Sequence, residues 1–279
     1  MKFTKMQGIG NDYIYVDCAR ETVSDPGPLA RKISDRHFGV GSDGLVLILP
    51  SERADFRMRM FNSDGSESEM CGNATRCIGK YVYERGLTRK KEVTLETGAG
   101  IRTLRLNVSG EQVESVQVDM GEPHLLPEEI PVDIGTAGDV ESIRNYPLEV
   151  QGRIFPVTCI SMGNPHCVVF MDEVESWPIE SWGPMFEHHS FFPRRTNTEF
   201  AVIMDREHIR MRVWERGAGE TLACGTGACA TLAAAVINGL AERKAHLMLN
   251  GGELLIEWDE KTGHILMTGP AEFVFDGEI

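Results

Sequence analysis

The sequence lacks any apolar run approaching the roughly 20 residues that a membrane-spanning helix requires. Its first residues, Met1 to Gly8, also lack the apolar core of a signal peptide. Disulfide-based architecture is equally disfavoured, because the seven cysteines are odd in number and no secretory signal accompanies them. Together these absences predict a cytoplasmic protein with reduced thiols.

Positive charge is scarce as well, since 28 Lys and Arg residues stand against 42 Asp and Glu residues and give a net charge of −14. This balance disfavours nucleic acids and anionic membranes as partners. An anionic substrate would have to be held by local N–H groups or by an arginine. With 42% hydrophobic and 25% charged residues, the chain has the composition of an average globular protein. Its length of 279 residues suits one large domain or two ordinary ones.

One stretch of the chain occurs twice. Met70–Cys77 contains a Cys-Gly pair, and Ala223–Cys229 contains another one 153 residues later (224 − 71). The same offset aligns Gly10-Asn11 with Gly163-Asn164, Arg57–Phe61 with Arg210–Trp214, Glu67 with Glu220, Gly86 with Gly239 and Gly98 with Gly251. Matches that keep one register over such a distance predict a duplicated half.

We therefore predict an α+β fold of two pseudo-symmetric homologous domains, each a mixed β-sheet wrapped around a central helix. The run Ala228–Ile237 is apolar nearly all round, which is typical of a buried helix. Met120–Pro131 would connect the halves, and the tail Ile265–Phe275 would return to the first domain. The predicted domains are residues 1–119 plus 266–279 and residues 120–265.

The coarse element order is the same in both halves. The alternation in Arg57–Phe61 predicts a half-buried strand. Strands are predicted at 13–16, 45–49, 57–61, 93–96, 102–106 and 113–119 in the first half and at 167–170, 200–203, 210–214, 246–249 and 254–258 in the second. A further helix is predicted near residues 28–36, and a helix follows each Cys-Gly pair and stops at Gly86 or Gly239.

Cys71 and Cys224 each stand where a helix would begin, and a cysteine there has a lowered pKa because the helix start carries unpaired N–H groups and partial positive charge. Two such thiols suggest a pair of bases. One, as thiolate, would remove a proton from one face of a carbon, and the other would deliver a proton to the opposite face. The pair would share one proton and would need neither pyridoxal phosphate nor a metal. The N–H groups of Gly72-Asn73 and Gly225-Thr226 would hold a substrate carboxylate and stabilise charge developing on it.

Two alternative sites are weaker. Gly39–Gly44 matches G-x-G-x-x-G, but it precedes a predicted strand instead of following one, so a dinucleotide site is not expected. A zinc site could use Cys71, Cys77, Cys224 and His166, although Cys-x5-Cys is not a usual zinc spacing. We therefore predict no metal and no cofactor. We expect the remaining cysteines to be small buried hydrophobic residues without a role in catalysis; they are Cys18, Cys77, Cys159, Cys167 and Cys229.

Two polar positions stay open at this stage. His166, in Gly163–His166, could be an ordinary loop histidine or a functional residue. The pair Glu215-Arg216 could be a solvated surface ion pair or part of a site, since it ends a predicted strand nine residues before Cys224 (224 − 215). The spacing does not decide between these alternatives.

Seven blocks in one order carry a resemblance to a known family. They are Lys5–Tyr13, Phe61–Ser66, Cys71–Cys77, Gly163–His166, Thr196–Phe200, Glu215–Thr221 and Ala223–Gly227. In these blocks the chain resembles the diaminopimelate epimerases. The resemblance implies cofactor-free interconversion of L,L- and meso-diaminopimelate for lysine and peptidoglycan precursor synthesis. It also implies two domains that close over the substrate, and a homodimer.

The resemblance further implies roles for individual residues. Cys71 and Cys224 match the base and the acid, and His166 and Glu215 match positions that support catalysis. Residues that would bind the substrate are Asn11, Asn62, Gly72, Asn73, Asn164, Asn197, Glu215, Arg216, Gly225 and Thr226. Arg216 suits a carboxylate at the distal end of the substrate. Which cysteine acts on which stereoisomer is not determined by the sequence.

Four positions depart from the residues common in that family. Gln7 stands in place of histidine, Met70 in place of a polar residue, and Ala74 in place of glycine. Gly44 stands where many members have a substrate-contacting glutamine, so that contact would be lost or supplied by another group.

Two other functions could also use the paired thiols. A proline or hydroxyproline racemase would use the same thiols on a smaller substrate, but it would not need Asn62, Asn164, Asn197 and Arg216 to recognise a second amino-acid end. A metal-binding or redox-sensing module would show thiol reactivity or bound metal without turnover. It would not require donor-rich turns around each cysteine.

Overall fold

The structure, a computed structural model, describes residues 1–135 and 141–279. The chain divides into two compact units, residues 1–119 with 268–279, and residues 120–267. Each unit combines two helices with a mixed β-sheet, which confirms the predicted α+β fold of two similar halves. Within the described residues, no helix is both long and apolar enough to cross a membrane.

The first unit follows the order β1 (Lys2–Gly8), β2 (Asn11–Asp17), α1 (Pro26–Ser34), β3 (Gly44–Leu49), β4 (Phe56–Asn62), β5 (Glu67–Ser68), α2 (Gly72–Glu84), β6 (Glu92–Thr97), β7 (Gly100–Ser109) and β8 (Gln112–Asp119). Strand β1 pairs antiparallel with β2, β2 pairs parallel with β3, and β3 pairs antiparallel with β4. A parallel pair, β4 with β6, then leads into the antiparallel β6, β7 and β8.

The second unit repeats this order with β9 (Tyr146–Val150), β10 (Arg153–Ser161), β11 (Pro165–Phe170), α3 (Ile179–Glu187), β12 (Asn197–Asp205), β13 (His208–Glu215), β14 (Gly219–Thr221), α4 (Gly225–Ile237), β15 (Lys244–Leu249), β16 (Gly252–Trp258) and β17 (Ile265–Gly269). Within β17 the chain returns to the first unit, where β18 (Glu272–Glu278) pairs antiparallel with β1.

The duplication holds at the level of single residues. Helices α2 and α4 both have 13 residues and start 153 positions apart (225 − 72), and α1 and α3 share that offset (179 − 26). In the parallel pairs β2–β3 and β11–β12, Tyr13 lies opposite Gly44 and His166 lies opposite Asn197, again 153 positions on. Equivalent residues therefore occupy equivalent places in the two units.

Both cysteine-led helices are buried and end in the same way. Every residue of α2 except the last is buried, and ten residues of α4 are buried. Gly86 and Gly239 adopt positive φ values of 73° and 72°, which glycine tolerates without strain. The next N–H groups, of Leu87 and Leu240, donate back into the helices at 2.9 Å each. The predicted glycine stops are confirmed.

The side chains of β11 point alternately to the two faces of the sheet, and one of these faces packs into the core of the second unit. Cys167 and Val169 of β11 pack into a buried cluster built around aromatic residues such as Phe155 and Phe186. His166 therefore projects from the other face of the strand, the side on which α4 packs. The strand pattern thus places a histidine beside the helix that Cys224 opens.

Several elements differ from the sequence-based expectation. The helix predicted near residues 28–36 spans Pro26–Ser34, and α3 was not predicted, since Pro178, Gly183 and Pro184 interrupt its sequence. The structure also contains strands that were not predicted, namely β1, β5, β9, β10, β14, β17 and β18. The segment Met120–Pro131 belongs to the second unit and forms turns with one bridge, His124 to Ser161. The tail forms β17 and β18 as separate strands.

Candidate functional site

In the first unit, Cys71 is the residue that caps the start of α2, with extended backbone (φ −137°, ψ 122°). Its thiol donates to Oδ1 of Asn11 at 3.4 Å, and Nδ2 of Asn73 donates to the same oxygen at 3.3 Å. The structure therefore brings Asn11, Cys71 and Asn73 together at the first turn of α2, beside Gly72.

A carboxylate that sequence reasoning missed orients this group. Nδ2 of Asn11 donates to Oδ2 of Asp43 at 2.7 Å. Asp43 also accepts from Arg36 at 3.0 Å, and burial raises the pKa of this carboxyl. The residue lies inside the Gly39–Gly44 motif, which sequence analysis considered for its glycines alone. That motif runs directly into β3, so it precedes a strand as expected and not a helix.

Two of the departing residues have local structural explanations. Oε1 of Gln7 accepts from the N–H of Gly10 at 2.8 Å and so closes the turn before Asn11. At Gly44 a Cβ atom would lie 2.0 Å from the carbonyl oxygen of Phe61 and 3.0 Å from the ring of Tyr13. No side chain fits there without moving the strand. Asn62, opposite Gly44, donates instead to Oγ of Ser66 at 3.0 Å.

In the second unit, Cys224 caps α4 and is buried. Its sulfur accepts from the N–H of Gly227 at 3.4 Å and lies 3.5 Å from Oγ1 of Thr226. Nδ2 of Asn164 donates to the same hydroxyl oxygen at 3.3 Å. Asn164, Cys224 and Thr226 therefore form one group, next to Gly225 at the start of the helix.

Glu215 and Arg216 do not form the solvated ion pair that the sequence left open. Oε1 of Glu215 accepts from Oγ1 of Thr221 at 2.5 Å. The guanidinium of Arg216 donates to the carbonyl of Arg194 at 2.9 Å, and its backbone N–H donates to Oδ1 of Asn197 at 2.8 Å. Burial raises the pKa of Glu215, while Thr221 and Cys224, as hydrogen-bond donors, oppose that shift.

The lowered pKa predicted for a helix-capping cysteine is wrong for Cys224. Burial and the nearby carboxylates of Glu215 and Glu199 raise the pKa of this thiol well above its ordinary value, and the bonds from Thr226 and Gly227 offset them only in part. A desolvated thiol between carboxylates favours its neutral form.

His166 is also not an ordinary loop histidine. It lies in β11 with no exposed surface, and its Nδ1 is 2.7 Å from Oε1 of Glu199, which is likewise fully buried. Its Nε2 is 3.0 Å from Oδ1 of Asn164. The neighbouring Asn197 donates through Nδ2 to the carbonyl of Pro165 at 3.1 Å, so its side chain ties β12 to β11. Glu199 lies within the Thr196–Phe200 block but is not among the site residues predicted from the sequence.

Comparisons with known proteins show the family of the chain. A family model described as diaminopimelate epimerase matches residues 3–126 and 158–274. A protein of Acetivibrio thermocellus named diaminopimelate epimerase is 60% identical over 279 residues, covering 100% of this chain and 98% of the relative. A Desulfovibrio desulfuricans protein of the same name is 57% identical, with the same coverage. The chain belongs to the diaminopimelate epimerase family.

Solved structures share the fold at much lower identity. A Bacillus anthracis protein of the phenazine biosynthesis PhzF family aligns with a TM-score of 0.69 at 18% identity, covering 100% of this chain and 98% of the other. A probable proline racemase from Agrobacterium radiobacter, crystallised with carbonate, aligns with a TM-score of 0.67 at 16% identity, covering 100% and 92%. These similarities extend the two-unit fold beyond the epimerase family and carry no information on substrate.

The other cysteines of this diaminopimelate epimerase family member are packed like small hydrophobic residues. Cys77, Cys159, Cys167 and Cys229 are buried and Cys18 is half-buried. Burial raises the pKa of Cys77 to about 11, although Tyr15 and Arg76 oppose the shift. Among the described residues, no cluster of three or more His, Cys, Asp or Glu side chains could hold a metal ion.

Alkylation of Cys224 should reveal its raised pKa. We expect its rate with iodoacetamide to keep rising above pH 9, because the thiol stays protonated below its raised pKa and the thiolate is the reacting form. Peptide-resolved mass spectrometry over a pH series measures this rate for Cys224 alone. A rate that levels off below pH 8 would contradict the assignment.

Replacing Glu215 should change thiol reactivity and turnover in opposite directions. Glu215→Gln removes a negative charge that raises the pKa of Cys224, so more thiolate forms at pH 8 and alkylation of Cys224 becomes severalfold faster. The role in catalysis that the resemblance implies for Glu215 predicts that turnover should nevertheless fall. The matched control is Glu220→Gln, which removes a carboxylate paired with Arg212 at 2.7 Å and should leave the alkylation of Cys224 unchanged.

Proposed function

We propose that this protein is a cofactor-independent epimerase that interconverts L,L- and meso-diaminopimelate for lysine and peptidoglycan precursor synthesis. The observation that carries the proposal is the 60% identity, over the whole chain, to a relative named diaminopimelate epimerase. The two cysteines that cap α2 and α4 support it, since each half supplies one thiol at the start of a buried helix.

In the proposed mechanism Cys71 and Cys224 serve as base and acid. One thiolate removes the α-proton and the other thiol reprotonates the carbanion on the opposite face, which inverts the centre. N–H groups at the starts of α2 and α4, from Gly72-Asn73 and Gly225-Thr226, bind the α-carboxylate and stabilise the charge that develops on it.

The raised pKa of Cys224 fits this mechanism if substrate binding lowers it. Glu215 would bind a substrate ammonium, and a positive charge there would neutralise one of the carboxylates that favour the protonated thiol. The free protein would then hold a neutral thiol, which is less prone to oxidation, and would form the thiolate when the substrate arrives. Glu215 would thus adjust the protonation of the Cys224 thiol.

The second amino-acid end of diaminopimelate distinguishes it from proline. We propose that Asn11, Asn62, Asn164, Asn197 and Arg216 contact the polar groups of the substrate. Arg216 is exposed and its guanidinium has one backbone partner, so donors remain available for a carboxylate. Asn197 would contribute through the donor capacity that its two backbone contacts leave. A site built to pair such groups rejects smaller substrates that lack them.

The test is proton NMR of the reduced protein with L,L-diaminopimelate in D2O, with proline in a parallel sample. Loss of the α-proton signal and appearance of the meso isomer is the expected result. Exchange confined to proline would assign a racemase of the related fold. Silence in both samples, with thiols demonstrably reduced, would reject both activities and leave a thiol-based binding module.

The organisation of the chain completes the proposal. We propose that residues 1–119 plus 266–279 and residues 120–265 are the two epimerase domains, and that the protein is a cytoplasmic homodimer. Val274, Phe275 and Ile279, in and after β18, are 51%, 45% and 52% exposed, which supports an interface between two copies. Sedimentation analysis should give twice the mass of one chain, and a monomer would contradict this part.

A further inference from the structure

Glu199 is a buried carboxylate in the middle of a strand. It belongs to β12 and has no exposed surface. Oε1 lies 2.7 Å from Nδ1 of His166, whereas Oε2 is buried with no hydrogen-bond partner among the described residues. Burying a carboxylate costs free energy that one hydrogen bond does not fully offset. Stability of the fold alone therefore does not account for a glutamate at this place.

The contacts of His166 continue toward Cys224. Nε2 lies 3.0 Å from Oδ1 of Asn164. In this orientation of the amide its oxygen can only accept, so the contact is a hydrogen bond when Nε2 carries the proton. Asn164 then donates from Nδ2 to Oγ1 of Thr226 at 3.3 Å, and that hydroxyl lies 3.5 Å from the sulfur of Cys224. A continuous series of polar contacts thus connects Glu199 with the thiol, entirely within the second unit.

We propose that Glu199 is a positioning residue for the reaction. Glu199 keeps His166 protonated at Nε2. The protonated Nε2 in turn fixes the side-chain amide of Asn164 with its N–H groups toward the start of α4. With Nε2 protonated, one further proton lies between Nδ1 and Oε1, so the pair is either imidazolium with carboxylate or neutral imidazole with carboxylic acid. Both forms donate from Nε2. The inference rests on the proposed function for its kinetic consequence, since Asn164 is a proposed substrate contact.

The first unit has no counterpart of this pair. The residues 153 positions earlier are Tyr13 and Val46, although the backbone pairing of the strands is the same. Helix α4 also approaches the carboxylate closely, since a Cβ atom at Gly227 would lie 2.6 Å from Oε1 of Glu199. The duplicated fold therefore surrounds its two thiols with different chemistry. The ionisable groups that interact with His166 are Glu199, by a direct contact, and Glu215, through its charge.

The test reads the protons of His166 by 15N NMR of histidine-labelled protein, with resonances assigned by a His166→Gln variant. In the wild type at pH 7.5 we expect Nε2 to be protonated. In Glu199→Gln we expect the amide oxygen to take the place of Oε1 and accept from Nδ1–H, so that Nε2 loses its proton and the amide of Asn164 turns its N–H groups toward it. If the new NH2 group donated to Nδ1 instead, Nε2 would keep its proton and no carboxyl group would be needed at this position. A wild-type Nε2 without a proton, or an unchanged Nε2 in Glu199→Gln, would overturn the proposal.

The kinetic signature is a split between KM and kcat. Glu199→Gln should raise KM for L,L-diaminopimelate about tenfold at pH 8, which corresponds to about 1.4 kcal/mol of substrate binding, with a smaller change in kcat. A loss in kcat as large as the rise in KM would contradict a role that acts through the position of Asn164.

Glu187→Gln is the matched control for mere loss of a buried carboxylate. Glu187 is 4% exposed, and it accepts from the indole N–H of Trp214 at 2.7 Å and from the N–H of Gly217 at 3.0 Å. Its replacement should lower thermal stability while leaving the protons of His166 unchanged. The nitrogen measurement on the wild type needs neither the Glu199→Gln variant nor turnover. It therefore decides the protonation of His166 even if Glu199→Gln does not fold or diaminopimelate is not the substrate.

Discussion

Replacing Cys71 or Cys224 by serine is expected to lower the turnover number for L,L-diaminopimelate by about 10²–10⁴-fold, the usual contribution of a general acid or base. A serine hydroxyl is far less acidic than a thiol, so it cannot supply the anion that removes the α-proton. Formation of the meso isomer, followed by proton NMR under reducing conditions, measures the loss. Near wild-type turnover in either variant would exclude that cysteine as a base or acid.

The matched control is Cys18→Ser, which alters a half-buried thiol just after β2 and should leave turnover unchanged. The same pair of variants can assign the roles that the sequence leaves open. In D2O, the remaining cysteine can still exchange the α-proton of the isomer that it deprotonates. Exchange without inversion from one isomer, in one variant, would identify which cysteine acts on that isomer.

Introducing the glutamine common in the family at position 44 is expected to damage the fold instead of restoring a substrate contact. A Cβ atom there would lie 2.0 Å from the carbonyl oxygen of Phe61, and a backbone atom within a strand pair cannot swing away. Gly44→Gln should destabilise the first unit by about 3 kcal/mol or more, which lowers its melting midpoint by roughly 6–12 °C. Differential scanning calorimetry and the yield of folded protein measure the effect.

Two alanine variants separate backbone crowding from other effects. Gly44→Ala adds the Cβ alone and should reproduce most of the loss. Gly79→Ala, inside α2, places its Cβ 3.0 Å from a methyl group of Leu106 and 3.1 Å from one of Val116, and side-chain methyls can shift. It should therefore cost clearly less. A stable, fully active Gly44→Gln protein would contradict this prediction, because it would show that β3 and β4 can separate enough to accept a side chain at position 44.

Much of the fold could be predicted from the sequence because the chain repeats itself. The Cys-Gly pairs and their glycine stops mark two helices that the structure confirms, and the fixed offset aligns the strands around them. Elements whose own residues show no clear helix or strand pattern could not be predicted. Helix α3 contains Pro184 next to Gly183, and the repeat with α1 was the sign that could have found it. Strand β18 pairs with β1 at the other end of the chain, so no local pattern predicts this pairing.

The sequence indicated residues that the structure groups at the two helix starts, but not the protonation of the Cys224 thiol or the buried carboxylates around it. A lowered pKa follows from a helix start alone, yet for Cys224 burial and two carboxylates outweigh it. Those carboxylates come from β12 and β13, so no local pattern announces their approach. Glu199 could have been suspected, since an acidic residue is unusual in a buried strand that pairs parallel with its neighbour, and the apolar Phe200 and Ala201 follow it directly. Asp43 was hidden because glycines dominate its motif.

The pairing of β1 with β18 affects how the protein is made. Lys2 lies opposite Glu278 and Gln7 lies opposite Glu272, so residues at the start of the first unit are paired with residues translated after all of the second unit. A ribosome adding about 5–20 residues per second leaves β1 without this neighbour for many seconds. The half that emerges first is thus completed last, and a chain cut short before residue 272 would display an unpaired β1 edge that could be recognised as unfinished.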